Sequence, residues 1–377
     1  MQLKRATVGR LAREVSGKHI YCFGAGKELL RFFNEFRDFQ IENKVKRVVD
    51  NCQEKCGLIK INEIDLSVIH TTQMLLEIVP EDIILITAAS FIEIVKQLSQ
   101  YAGLKDTKVY IYSQLWEEHY DQERERVFIP QKLYTKESIV IPKRIHYCWF
   151  GRHAIPKQNR IWMESWKKFC PDYEIIEWNE NNYDITKNLY VRQAYEQGKW
   201  AFVSDYVRLD VIEQFGGVYL DTDVELLKEI DVFLKNEAFC GFEQKRFVNF
   251  GLGYGAVAHH EIVKALRDDY EERQFILSGG ALNEKTCPQY QTELLTKYGL
   301  KRNGQYQVLN KITVYPEMIL CGMSPLSFRI SKHLDHTYAI HHYAASWHGQ
   351  AFHNEKEVKR KFFDEMEQHD NSFYASL

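Results

Sequence analysis

The chain has 377 residues, of which 45% are hydrophobic, 14% aromatic and 27% charged, and its net charge is −3. That balance belongs to a folded globular protein, and it supplies no overall basic field for nucleic acid. The length suits two domains of roughly 100–200 residues each.

The N-terminus carries Lys4, Arg5, Arg10, Arg13 and Lys18 with no apolar core behind them, so it is not expected to be a secretory signal. It reads as a solvated helix face, with contact to an anionic membrane surface as the alternative. From residue 19, short apolar runs alternate with helical patterns. Residues 19–23, 45–50, 82–87 and 108–112 read as strands, and 28–36 and 91–101 as helices. This order predicts βαβ units around a parallel sheet. Gly24 and Gly26 fall at the first strand-to-helix turn, but Leu29 stands where a dinucleotide fingerprint has its third glycine. Asp50 closes the second strand, where such a fold places its ribose-binding acid. The expectation is a small Rossmann-like domain over 1–125, used as a scaffold, docking or sensor unit.

Residues 117–126 are polar and charged, and Pro130 and Pro142 punctuate the stretch after them. We expect a linker over 126–140 and a second domain over 141–377 with a C-terminal helix. In it, 144–150 and 173–178 read as strands and 159–169 as a helix. Residues 200–215 read as an amphipathic helix with Phe202, Tyr206, Leu209 and Ile212 on one stripe. Gly216 and Gly217 stop it. Residues 218–220 form a short strand that ends in acid. The apolar run 83–89 is far below the roughly 20 residues that span a bilayer. The eight cysteines include no Cys-x-x-Cys pair and read as free, mostly buried thiols. The protein reads as cytoplasmic, with the inner face of the cell membrane as the alternative.

The most informative residues are Asp221-Thr222-Asp223. In an extended segment, residues two apart share a face, so both carboxylates would lie side by side and call for a cation. A hard divalent cation takes oxygen ligands and completes its shell with substrate phosphates. On the helix before them, Asp205 and Arg208 share a face in apolar surroundings, and recognition of sugar hydroxyls would justify burying such a pair.

The run KWAFVSDYVRLDVIEQFGGVYLDTDVELL at 199–227 resembles glycosyltransferase family 32, described as the sugar-binding region containing a DXD motif. IPKRIHYCWFG at 141–151, SWKKFCPDYEIIEWNE at 165–180 and TYAIHHYAASW at 337–347 resemble further segments of that family, in the same order. The resemblance implies an α/β fold, with a GT-A-type nucleotide-sugar-binding domain preceded by the small Rossmann-like domain. It implies a retaining glycosyltransferase acting in cell-surface polysaccharide biosynthesis. Asp221 and Asp223 would hold Mn²⁺ or Mg²⁺, with Asp221 also contacting ribose and diphosphate. His341 would be a metal ligand, although in a strand only one of His341 and His342 can face the metal. Asp205 and Arg208 would bind the donor sugar, Trp149 would pack against the nucleotide, and Ser346 and Trp347 would sit near the diphosphate. The partners implied are a nucleotide-sugar and a saccharide or lipid-linked saccharide acceptor, with no nucleic acid. Where the family often has a Thr-Gly-Pro-like turn, this chain has Thr286-Cys287-Pro288. The competing readings are an NAD-dependent oxidoreductase led by the first domain, and a non-catalytic nucleotide-sugar-binding protein. The sequence leaves the donor sugar, the linkage and the oligomeric state open.

Overall fold

The computed structural model describes residues 1–124, 126–243, 246–331, 334–344 and 350–368. The chain divides into two compact units, Met1–Arg126 with the chain from Glu355 onward, and Val127–Asn354.

The first unit holds strands β1 (Gln2–Leu3), β2 (Ile20–Phe23), β3 (Val45–Asp50), β4 (Gly57–Ile61), β5 (Ile64–His70), β6 (Ile83–Ile86) and β7 (Lys108–Ile111). Its helices are α1 (Val8–Glu14), α2 (Lys27–Glu35), α3 (Thr71–Glu77), α4 (Phe91–Ser99) and α5 (Tyr112–Arg124). The sheet order is β1-β7-β6-β2-β3-β5-β4, parallel except for the edge strand β4. β2 and β6 are buried at every position, as strands covered on both faces must be, which is why they read as unbroken apolar runs. Chain progress reverses between β2 and β6, the kind of switch point where open α/β sheets bind ligands.

The glycine-bearing turn at that point is internally engaged. Gly24 has φ 118°, and a Cβ there would lie 2.7 Å from the Thr87 carbonyl oxygen. Asp50 accepts hydrogen bonds from the Ala25 amide (3.0 Å), the Cys52 amide (2.9 Å) and the Lys55 ammonium (3.1 Å). Burial pushes its pKa up, but these donors outweigh burial and hold the carboxyl below its ordinary range. The residue that the sequence offered as a ribose acid therefore ties its own turn together.

Helix α12 (Gln350–Gln368) gives this unit two buried rings, Phe362 and Phe363, whose centroids lie 5.3 and 5.6 Å from that of Phe91. The sequence reading had this segment in the second domain. Its apolar face matches the first core instead, an assignment no local pattern could make.

The second unit contains β8 (Arg144–Cys148), β9 (Glu174–Trp178), β10 (Gly217–Tyr219), β11 (Val224–Leu226), β12 (Ala238–Glu243), β13 (Phe247–Val248), β14 (Tyr254–Ala256), β15 (Gln307–Leu309), β16 (Ile312–Tyr315) and β17 (Ala339–His341). Its helices are α6 (Lys157–Phe169), α7 (Leu189–Glu196), α8 (Trp200–Phe215), α9 (Glu261–Asp268), α10 (Cys287–Lys297) and α11 (Glu317–Leu320). The mixed sheet runs β15-β16-β12-β14-β10-β8-β9, with β13 against β12, and β11 and β17 make a separate antiparallel ribbon. Residues read as a linker are fastened to this unit. The Val140 amide donates to Leu234 O (2.9 Å), and Leu133 O accepts from the Asn236 side chain (3.2 Å).

Helix α8 differs from its expected form. Val203 and every residue from Asp205 to Glu213 are buried, so it is a central helix rather than a surface one. Apolar residues on all sides of a helix are the mark of burial, and the stripe read from sequence is one part of that surface. Gly216 (φ 63°) ends the helix as expected, and the chain turns at once into β10. Among the described residues, no helix is long and apolar enough to cross a membrane. No disulfide joins any of the eight cysteines, and six of them are buried.

His146 on β8 locks this turn. One ring nitrogen lies 2.9 Å from Gly216 O, and the other accepts from the Trp178 indole at 3.0 Å. Burial lowers its pKa to about 4, so the neutral ring is the folded form. The unfolded chain takes the proton first, near pH 6.5. The stabilisation is therefore full above that pH and lost as pH falls towards 4, to a limit of about 3 kcal/mol. Urea unfolding at pH 7 and pH 4.5 checks this. We expect the wild type to lose more stability on acidification than His146→Gln, and equal losses would contradict it.

Candidate active site

Three local structures build the site. β10 alternates, with Val218 and Leu220 in the core cluster on one side of the sheet and Tyr219 on the other, among residues of α8. Asp221 continues that alternation and meets Arg208 of α8, with Nη2 to Oδ1 at 3.3 Å. The chain then turns, the Val224 amide donating to Asp221 O at 3.0 Å. This turn, rather than an extended strand, carries Asp221-Thr222-Asp223. The two acids meet because the chain reverses, not because they sit two apart on a strand. Thr222 is held by the buried Asn159 side chain (3.0 Å).

The third structure is the ribbon of β11 and β17, whose register sets Val224 opposite His341. That pairing lays the imidazole beside the turn, with Nε2 3.3 Å from Asp223 Oδ1 and 4.0 Å from Asp221 Oδ2. His342 points elsewhere, its Nε2 2.8 Å from Glu225 and its ring stacked on Trp162 at 4.1 Å. Of the two histidines, His341 is the one that faces the acids. Asp223 Oδ2 also accepts from the Ala344 amide at 2.7 Å.

Ligand atoms of Asp221, Asp223 and His341 lie within 4.8 Å of one another, so the three could hold a metal ion. Their electrostatics agree. Burial pushes the Asp223 pKa up, but the charge and hydrogen bond of His341 and the Ala344 amide bring it below its ordinary range. Burial lowers the His341 pKa, but Asp223 and Asp221 raise it above the usual imidazole value. The two shifts describe one interaction, in which the Asp223 carboxylate and a positive charge at His341 stabilise each other. Two carboxylates and one imidazole are a donor set that a divalent cation such as Mn²⁺ accepts.

Asp205 and Arg208 are both buried, with an N–O distance of 3.1 Å. Burial raises the Asp205 pKa to about 6 against the pull of Arg208. Arg208 is held from several sides: Nε donates to Ser204 O (3.1 Å), Nη1 lies 3.8 Å from Cys287 Sγ, and its guanidinium covers the Tyr219 ring at 4.9 Å. Thr286-Cys287-Pro288, where the sequence departs from the expected turn, thus starts α10 and brings the Cys287 thiol to this pair. Thr286 caps the helix in a capping box with Gln289.

A cavity of about 790 Å³ opens over these groups, with Arg208, Asp221, Asp223 and His341 among its lining residues. Trp149, Phe150, Trp200 and Phe328 give it an aromatic wall. The Trp149 indole donates to His153 O (2.5 Å), and the Trp200 ring lies flush against Gly151, where a Cβ would be 2.7 Å away. Asp205 is not among the lining residues and stands behind Arg208. Ser346 and Trp347 lie outside the described residues. Sequence reasoning missed Trp200, Ser204 and Cys287. Trp200 and Ser204 precede Arg208 by eight and four residues, a helical spacing that could have flagged them.

Residues 156–240 match the family model described as "Glycosyltransferase sugar-binding region containing DXD motif". Over this segment the chain is similar to the sugar-binding region of DXD-containing glycosyltransferases. The matched segment includes Asp205, Arg208, Asp221 and Asp223, and His341 lies beyond it. The chain is similar to "Inositol phosphoceramide mannosyltransferase 3" of Schizosaccharomyces pombe, at 29% identity over 29% of this chain and 31% of that protein. It is also similar to "Subversion of eukaryotic traffic protein A" of Legionella pneumophila, at 28% identity over 22% of this chain and 17% of that protein. It therefore spans less than a third of either curated relative. A solved structure titled "PaToxG Glycosyltransferase" matches at 14% identity with a TM-score of 0.32, over 56% of this chain and 80% of that one, a likeness too distant to assign the fold.

Proposed function

We propose that this chain is a metal-dependent, retaining glycosyltransferase that takes a sugar from a nucleoside-diphosphate sugar, foremost a UDP-sugar, and passes it to a saccharide acceptor. The observation that carries the reading is the convergence of Asp221, Asp223 and His341 beside Arg208 in the lining of one cavity. The family match and the mannosyltransferase relative support sugar transfer. On this reading the second unit is a GT-A-type domain and the first a Rossmann-like one. The acceptor is a free or lipid-linked saccharide of a cell-surface polysaccharide, made at the cytoplasmic face of the membrane.

Cleavage of the donor leaves negative charge on the departing diphosphate. A Mn²⁺ or Mg²⁺ ion, when bound, supplies the Lewis acidity that stabilises this charge. Asp221, Asp223 and His341 would hold it, Asp223 and His341 from largely buried positions on the cavity wall. Arg208 cannot drift, because Asp205, Asp221 and Ser204 O fix its guanidinium, so it presents one orientation to the donor. Asp205 acts through Arg208 rather than on the cavity directly. The aromatic wall at Trp149 offers a flat apolar surface to the nucleobase. Among the described residues we identify no covalent nucleophile, so on this reading retention would come from same-face attack.

Incubation with a panel of nucleotide sugars, Mn²⁺ and saccharide acceptors, with mass spectrometry of the products, tests the reading. We expect transfer or donor hydrolysis from one nucleotide sugar, stopped by EDTA and restored by Mn²⁺. Turnover unaffected by EDTA would overturn the metal role.

A further inference from the structure

Asp223 is fixed by the Ala344 amide and by His341. Asp221 is more exposed, its side chain retaining 26% of its accessible surface, yet it must hold one oxygen towards His341. Two other residues constrain it. The Tyr219 hydroxyl donates to Oδ1 at 2.9 Å, the same oxygen that Arg208 contacts. Oδ2 lies over Gly251 so closely that a Cβ built there would be 2.2 Å from it. Gly251 is itself pinned, its amide donating to Asn249 Oδ1 (2.7 Å) and its carbonyl accepting from the Asp221 amide (3.3 Å). Any side chain at 251 would take the space that Oδ2 occupies.

We propose that Gly251 and Tyr219 are positioning residues that fix Asp221 with Oδ1 committed to the protein and Oδ2 offered to the cation. This rests on the metal reading above. It assigns to Gly251 the role of a missing side chain, and to Tyr219 that of the donor that orients a metal-binding carboxylate. Groups that hydrogen-bond to ligating side chains govern affinity, and their loss typically weakens binding about 10–100-fold.

Mn²⁺ affinity, read from the EPR signal of free Mn²⁺, tests it on the full chain. We expect Tyr219→Phe and Gly251→Ala each to weaken Mn²⁺ binding about tenfold or more. We also expect Tyr219→Phe to unfold near the wild-type midpoint and to regain turnover as Mn²⁺ is raised. A purely structural role would not give rescue by metal. Should Gly251→Ala fail to fold, Tyr219→Phe decides, since it removes one oxygen and leaves the ring. Wild-type affinity in Tyr219→Phe overturns the proposal while Mn²⁺ binding by the wild type, lost in Asp223→Asn, still supports the metal site. A wild-type chain that binds no Mn²⁺ overturns both.

Discussion

Asp223→Asn is expected to lower sugar transfer by roughly 10²–10³-fold or more while leaving the second unit folded. The amide side chain has the shape of the carboxylate, and its oxygen can still accept from the Ala344 amide, which the native Oδ2 does at 2.7 Å. What disappears is the charge facing His341 Nε2 at 3.3 Å. Asp223 is buried, so water cannot replace that charge, and the donor set falls to one carboxylate and one imidazole. Asp223→Ala loses the Ala344 bond as well, and leaving that part-buried amide unpaired costs at most about 1–3 kcal/mol. Comparing kcat/KM and unfolding midpoints for the two variants separates chemistry from folding. Activity near wild type in Asp223→Asn would contradict the metal role.

Arg208 carries the second large effect, on stability and activity together. It is buried and is the counter-charge to Asp205, which is equally buried, at 3.1 Å. Arg208→Ala strands that carboxylate, and breaking a buried pair from one side costs about 3–5 kcal/mol. Arg208→Lys keeps a charge but not the planar fork that meets Asp205, Asp221 and Ser204 O at once. We expect Arg208→Lys to fold and to lose roughly 100-fold or more in kcat/KM. Adding Asp205→Asn to Arg208→Ala should recover much of the stability and none of the activity. That double-mutant cycle reads out the pair directly. Full activity in Arg208→Lys, or additive stability losses in the double variant, would oppose this account.

The pieces of the site legible in the sequence were those made by neighbours along the chain. Asp205 and Arg208 lie one helical turn apart, and α8 holds them as such. The glycine stop at 216–217 came from residue chemistry alone. Asp221 and Asp223 were expected to share a strand face. In the structure, Tyr219 and Asp221 share it, and a turn delivers Asp223. The pairing of the acids was thus foreseen with the wrong geometry, because a strand and a turn can both bring i and i+2 together. His341 could be chosen over His342 only through the β11–β17 register, which joins residues more than a hundred positions apart. Gly251 and Cys287 carry no local signal, since each matters for what it touches across the fold. The same holds for Phe362 and Phe363, whose partner Phe91 lies in the opposite part of the chain.

Crystals soaked with MnCl2 and UDP, measured at the manganese absorption edge, would locate the ion itself. The account predicts one anomalous peak within about 2.0–2.6 Å of a carboxylate oxygen of Asp221, of Asp223 and of His341 Nε2, with diphosphate oxygens beside it. Diphosphate bound in the cavity with no manganese between these three side chains would contradict it.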